Sequence, residues 1–364
     1  VYASLNIYAA ADLKPVATLH LPSGSFACRD AAMSHDGRFC YVSHTIGRFT
    51  VPTTHLDRGW INTSAVSIFD CAAQRYVNTV LLDDIMQGAA VPWGLDVTPD
   101  DRYLCVNASG SHETVFVDVP EMMQRLAAAT APDEVMNDLG FLYGAKTRIK
   151  LEGQGARAIA VHDSFVYVPM FFADSVNVIE IWDDGPGTAL PLPLHDAPEP
   201  DLLRAGEMAF NDATLCYQTW QSCASCHPDT RSDGTNWDLL NDGIGNPKQS
   251  RSLLYTHRTS PVMIRGVRAA AEIAVSKGFS HIQFFQVPQS TEDAVNAYLK
   301  SLEPVPSPYL ERDGTLTKSA QRGKIVFEGK AGCVQCHTPP YYSDKKMYKF
   351  GLGSDQDRDC EFAT

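Results

Sequence analysis

Two pentapeptides carry the chemistry this sequence can do: Cys223-Ala224-Ser225-Cys226-His227 and Cys333-Val334-Gln335-Cys336-His337. C-x-x-C-H is the attachment pattern of c-type haem. Two thiols one helical turn apart can add across the two vinyl groups of a porphyrin, and the following imidazole then reaches the iron. Cys223, Cys226, Cys333 and Cys336 are therefore expected to hold two haem c groups covalently, with His227 and His337 as proximal iron ligands. A four-thiolate zinc site would use the same cysteines. It leaves both trailing histidines unexplained, and 106 residues intervene between Cys226 and Cys333.

The residue opposite each iron sets its potential and decides between catalysis and electron transfer. For the first haem the distal candidates are His257, His281 and Met263. Each also has an ordinary reading, the histidines as hydrogen-bonded core or interface residues and Met263 as packing. Met347 reads as core. Arg251, Arg258, Arg265 and Arg268 carry forks that match haem propionates and are equally plausible as surface residues. Trp220 and Trp237 flank the first motif and read more simply as packing than as an electron path. His44, His55 and His112 fall in loops, with no metal-binding spacing to join them.

Helices are expected to position the two motifs. Residues 201–210 and 319–327 share a G-x-x-x-F pattern just upstream of each motif, so that Leu203, Phe210, Ile325 and Phe327 would face a haem-bearing core. A further helix over 292–302, capped by Ser290 or Thr291, ends before the Pro304, Pro306 and Pro308 break. The N-terminal half has a different rhythm. Residues 32–43 match 96–107, and 160–168 repeat them with a turn two residues shorter. Each copy is a strand, a tight Asp/Gly-type turn and a second strand, and each is followed by an alternating strand at 65–70, 114–119 or 175–181. Long insertions are expected at 44–63 and 120–150, the second holding a short helix over 121–129.

This repeat resembles the YVTN family of β-propellers over roughly residues 1–182, which implies blades of four antiparallel strands around an axis. Three blades do not close a ring. The chain opens inside a strand and reads as an internal piece of a longer protein. The expected fold is therefore multidomain: all-β propeller blades in an incomplete ring (1–182), a Pro/Gly-rich linker (183–203), and two mainly α-helical class-I-like cytochrome c modules in tandem, the first over 204–304 and the second, truncated, over 305–364. The proline content of the linker argues against a central strand there.

Residues 204–364 resemble the bacterial di-haem cytochrome c peroxidase superfamily, through 215–229, 236–248, 322–337 and 342–344. The resemblance implies a reactive haem in the first module and an electron-entry haem in the second. It also implies a Ca2+ ion between the modules, for which Asp229, Asp233, Asp238 and Asp242 could supply oxygens although their spacing matches no loop motif. The sequence departs from that pattern in two ways. No histidine lies between His227 and Asn246, and only 27 residues follow His337.

The net charge of −13 argues against a nucleic-acid footprint and favours a basic electron-donor or acceptor protein, and the resemblance implies hydrogen peroxide or another small oxidant as co-substrate. Ten cysteines suit an oxidising compartment, so the chain is expected in the bacterial periplasm or at the cell surface. Six lie outside the motifs, and Cys40 and Cys105 among them read as buried free thiols. No apolar run reaches the length of a membrane span, and no signal peptide is visible. The expected function is a peroxidase-like di-haem oxidoreductase whose propeller docks a partner or covers the haem mouth. The alternatives are a non-catalytic electron relay on a binding propeller, a propeller enzyme draining electrons through the haems, and a surface-binding propeller with accessory haems.

Overall fold

The computed structural model describes residues 3–58, 61–195, 198–241, 243–351, 355–357 and 359–364. Most of its strands belong to three four-stranded antiparallel sheets. The first holds β3 (Ser25–Met33), β4 (Phe39–Gly47), β5 (Asn62–Asp70) and β6 (Arg75–Leu81); a pair, β1 (Ser4–Tyr8) and β2 (Pro15–His20), precedes it. The second holds β7 (Pro92–Val97), β8 (Tyr103–Ala108), β9 (Glu113–Asp118) and β10 (Lys146–Lys150), and the third β11 (Ala160–His162), β12 (Phe165–Pro169), β13 (Ser175–Trp182) and β14 (Gly185–Pro193). Each sheet runs in sequence order, as a propeller blade does. The described blades do not close a ring.

The repeated turn explains the repeated hairpin. Ser34 Oγ donates to Asp36 at 2.6 Å and accepts from Phe39 N at 2.9 Å. Thr98 Oγ1 does the same with Asp100 at 2.6 Å and Tyr103 N at 2.9 Å. The residue that reverses the chain is left-handed in both, Gly37 at φ 72° and Asp101 at φ 56°. These are residue types that tolerate that conformation. Blades then stack through their faces. Val66, Ile68 and Val80 of the first blade pack with Leu104, Val106, Val115 and Val117 of the second in one core. Tyr103, Cys105 and Phe116 pack with Val166, Val168 and Ile179 of the third in another. Central strands are thus covered on both faces: all of β5 and all of β8 are buried. Cys40 and Cys105 are buried free thiols.

The second insertion contains α1 (Val119–Ala128), but its last residues form β10. A larger correction concerns 183–203, expected to be a linker. Residues 185–193 form β14, the fourth strand of the third blade, paired with β13 from Ser175↔Pro193 to Trp182↔Gly185. It is an edge strand, where prolines cost no ladder hydrogen bond on the open side.

Helices follow. α2 (Leu202–Asn211) is capped by Asp201, whose side chain accepts from Arg204 N, and it packs on α5 (Gln289–Ser301). Gly206 makes that approach possible, since a Cβ there would collide with the Ala294 carbonyl. α3 (Cys223–Cys226), α4 (Ala271–Lys277) and α6 (Lys318–Glu328) complete the set. α5 begins one turn earlier than expected, after Pro288 and without a side-chain cap, so neither Ser290 nor Thr291 is the N-cap. Phe210 is buried as expected, but Leu203 is 44% exposed and Ile325 71% exposed. α2 turns its Gly206–Phe210 face to α5, and α6 buries none of its residues. No helix among the described residues is long and apolar enough to cross a membrane.

Candidate functional site

The first motif is built into a corner. Ser225 Oγ accepts from Ser222 N at 3.0 Å at the start of α3, and His227 closes its other end. His227 Nδ1 lies 3.0 Å from the Arg231 carbonyl oxygen. Only a protonated Nδ1 satisfies that contact, so Nε2 keeps its lone pair, the tautomer a metal-ligating imidazole requires. Burial holds the imidazole below its ordinary pKa, which also keeps it neutral. Burial pushes the Cys223 thiol up to about 12 and raises Cys226 as well.

The second motif repeats the device without the shelter. His337 Nδ1 lies 3.0 Å from the Tyr342 carbonyl, which fixes the same tautomer. Cys333 opens a single 3-10 turn, Cys333–Gln335, entered from left-handed Gly332 at φ 68°, and Cys336 caps it. Phe327 meets Tyr342 edge-on at 5.9 Å, so this member of the expected apolar set packs on the residue whose carbonyl holds His337. His227 and His337 both line one cavity of about 820 Å³. That volume is in the range of cofactor sites.

Residues that sequence reasoning missed come from the propeller. Thr53, Thr54 and Ile61, in the β4–β5 connection, line the cavity with the helices. Asn62 Nδ2 reaches Cys226 Sγ at 3.4 Å and Gln221 Oε1 at 2.8 Å, while Gln283 Nε2 reaches Cys223 Sγ at 3.5 Å. Leu56 and Ile61 share an apolar core with Cys216, Trp220 and Trp237. Backbone pairing adds to it: Gly88 N to Gln218 O at 3.0 Å, and Ala213 N to Gly110 O at 2.9 Å. His112 Nε2 meets Asp212 at 3.1 Å, so this loop histidine serves the contact between blade and helix. His44 is buried beside Ser67 at 2.8 Å, and burial lowers its pKa to about 4. Trp220 and Trp237 are packing residues of this core, and Trp237 donates to Asp233 at 2.7 Å.

All three distal candidates line the cavity. Asn296 donates to the Glu292 carbonyl, so its oxygen accepts from His257 Nε2 at 2.8 Å. His257 Nδ1 is then an acceptor, buried and without a partner among the described residues. His281 is exposed, its Nδ1 2.7 Å from Ser280 Oγ. Met263 is half-buried with φ 71°. Met347 is half-buried against Gly266. Arg251, Arg265 and Arg268 line the cavity, whereas Arg258 is not among its lining residues and donates to Tyr341 OH, which is, at 3.2 Å.

The acidic residues do not assemble a calcium cage. Asp229 pairs with Arg29, Asp233 accepts from Trp237, Thr235 and Ser250, and Asp238 accepts from Leu240 N and Gly245 N. Asp242 lies outside the described residues. No group of three or more His, Cys, Asp or Glu converges among the described residues.

No family model matches the chain. It is 29% identical over 179 residues to hydrazine synthase subunit gamma of Kuenenia stuttgartiensis, covering 44% of this chain and 50% of that subunit. It is 27% identical over 206 residues to the cytochrome-c peroxidase IdrP2 of Pseudomonas sp. (strain SCT), covering 44% and 54%. It also matches hydrazine synthase subunit beta of Kuenenia stuttgartiensis, 24% identical over 155 residues, covering 42% and 40%. Among solved structures, Kuenenia stuttgartiensis hydrazine synthase superposes with TM-score 0.46 at 22% identity, covering 49% of this chain and 52% of that one. The periplasmic gluconolactonase PpgL of Pseudomonas aeruginosa gives TM-score 0.35 at 16% identity, covering 55% and 51%. The class defined by fold and site is a blade-built protein with two c-type haem motifs. Within it, the chain is homologous to hydrazine synthase subunits and to cytochrome-c peroxidases, and it spans about half the length of the two relatives named first.

Proposed function

We propose that this chain is an extracytoplasmic di-haem c-type oxidoreductase in which the propeller walls the first haem and the second haem meets the redox partner. One observation carries the reading: two CxxCH motifs each present an imidazole whose Nδ1 is held by a backbone carbonyl, and both line one cavity. Bound haem would supply one-electron redox chemistry at an iron centre. Around it, the chain's residues hold both ring tautomers, exclude water from the first motif through Ile61 and Trp237, and offer Arg251 and Arg268 to anionic haem edges. His257, with its unpartnered Nδ1, is the residue placed to take or give a proton in the cavity. Net, a peroxide would take two electrons and two protons and leave as two waters, the electrons coming from a reduced protein donor.

The test is peroxide-dependent oxidation of a reduced small cytochrome by the haem-loaded protein. Two equivalents oxidised per peroxide are expected, and none would remove the peroxidase reading. A second reading is favoured by a separate observation: the chain matches two different subunits of hydrazine synthase, gamma and beta. On that reading it is part of a nitrogen-coupling enzyme. Hydrazine formation with no peroxide turnover would select it.

A further inference from the structure

The first strands of the three blades, β3, β7 and β11, lie side by side. At one end of this row three arginines and three aromatic rings form a single cluster. The Arg29 guanidinium lies 4.2 Å from the Trp93 ring centroid, and Arg157 lies 4.6 Å from the same ring and 3.8 Å from Phe171. Arg204, from α2, lies 4.9 Å from Phe171 and 4.5 Å from Phe172. In a chain of net charge −13 this is a local concentration of positive charge.

The counter-charges do not cover it. Arg29 pairs with Asp229 at 2.9 Å and Arg204 with Glu207 at 2.9 Å. The Arg157 guanidinium makes no hydrogen bond and no ion pair among the described residues, and its Nε is buried without a partner. Arg29 Nε is buried without a partner too. Glu207, the carboxylate whose field acts on Arg157, is already committed to Arg204. Aromatic faces offset part of the charge but accept no conventional hydrogen bond. Each buried N–H left without an acceptor costs about 1–3 kcal/mol. Two in one cationic cluster ask for the same kind of ligand, one that brings negative charge and oxygen acceptors together.

We infer that Arg157 and Arg29 form a binding site for a small oxyanion, of the carboxylate, nitrate or phosphate kind, at the inner row of the propeller. A guanidinium fork suits such groups because parallel N–H donors match paired oxygens. The anion is either free in solution or the side-chain carboxylate of a docked protein. The site is separate from the cavity holding His227 and His337, and its existence does not depend on the proposed redox function.

Calorimetric titration of the haem-loaded protein with nitrate and with acetate tests this. Saturable binding at one site is expected for the wild-type chain. Arg157→Leu should weaken it at least about tenfold, Arg157→Lys should fall between, and Arg102→Leu, at a guanidinium over Tyr103, should leave it unchanged. Should Arg157→Leu fail to fold, arginine-selective dicarbonyl labelling of the wild type replaces it, with nitrate expected to protect Arg157 in peptide mass spectra. Nitrate binding with none to a soluble acidic peptide marks a free-anion site, and binding of both marks one open to a protein carboxylate. No saturable heat from the wild type, with no protection, means that water alone meets these N–H groups and overturns the site. Equal binding by wild type and a folded Arg157→Leu overturns it as well.

Discussion

The two CxxCH regions use the same local chemistry in opposite surroundings. Around Cys223–His227 the chain adds a capping hydrogen bond from Ser222 N to Ser225 Oγ, amide donors to both sulfurs, an apolar core of Trp220 and Trp237, and a wall contributed by the propeller. Around Cys333–His337 there is one short turn, a carbonyl for the imidazole, and a helix that buries none of its residues. A haem in low-dielectric surroundings shielded from water differs in potential and ligand access from one at the surface. On the proposed function, the difference would put reactivity at the sheltered site and electron exchange at the open one.

Removing one motif at a time tests this contrast most strongly. Cys223→Ala with Cys226→Ala should halve the pyridine haemochrome yield and uncouple the propeller from the helices, seen as two separate thermal transitions. Cys333→Ala with Cys336→Ala should also halve the yield yet leave the propeller melting temperature within about 2 °C. Matching melts would erase the distinction. Next in size, Trp220→Ala empties a fully buried position in the shared core and should destabilise by about 3–5 kcal/mol in denaturant titrations.

Acid should separate the two regions as well. His44 is fully buried in the propeller, and its pKa is lowered to about 4 from 6.5. Its contribution is complete above its unfolded value and disappears as pH falls through the folded one. About 3 kcal/mol should be lost between pH 6.5 and 4. His44→Gln should flatten that slope in urea titrations, and an unchanged slope would assign the loss elsewhere. Asn62→Ala is a smaller step: about 1 kcal/mol of stability, with a shift in the potential of the first haem and none in the second by redox titration. Ile325→Ser, on the open side, should change stability by less than about 0.5 kcal/mol.

Much of this was legible because it is local. The hairpin turns at Ser34–Phe39 and Thr98–Tyr103 are written in adjacent residues, and so are both CxxCH motifs and the helices preceding them. The fourth strands were harder to see. Lys146–Lys150 is polar in composition, and Gly185–Pro193 carries prolines that an edge position tolerates. The wall of the first site had no signal at all. Asn62 meets Cys226 across 164 residues, and nothing in the period or composition of either segment announces the other. Leu203 and Ile325 failed for a related reason: periodicity marks an apolar stripe but does not say what will cover it.

The wall formed by Ile61 and Asn62 also constrains how such a chain is made. Thioether formation needs two accessible, reactive sulfurs and a porphyrin that can enter edge-on, whereas burial favours the neutral form of both thiols and the propeller's Asn62 lies against Cys226. Haem at the first motif would therefore have to be fastened before Ile61 and Asn62 pack against it. The second motif, left in the open, is under no such deadline.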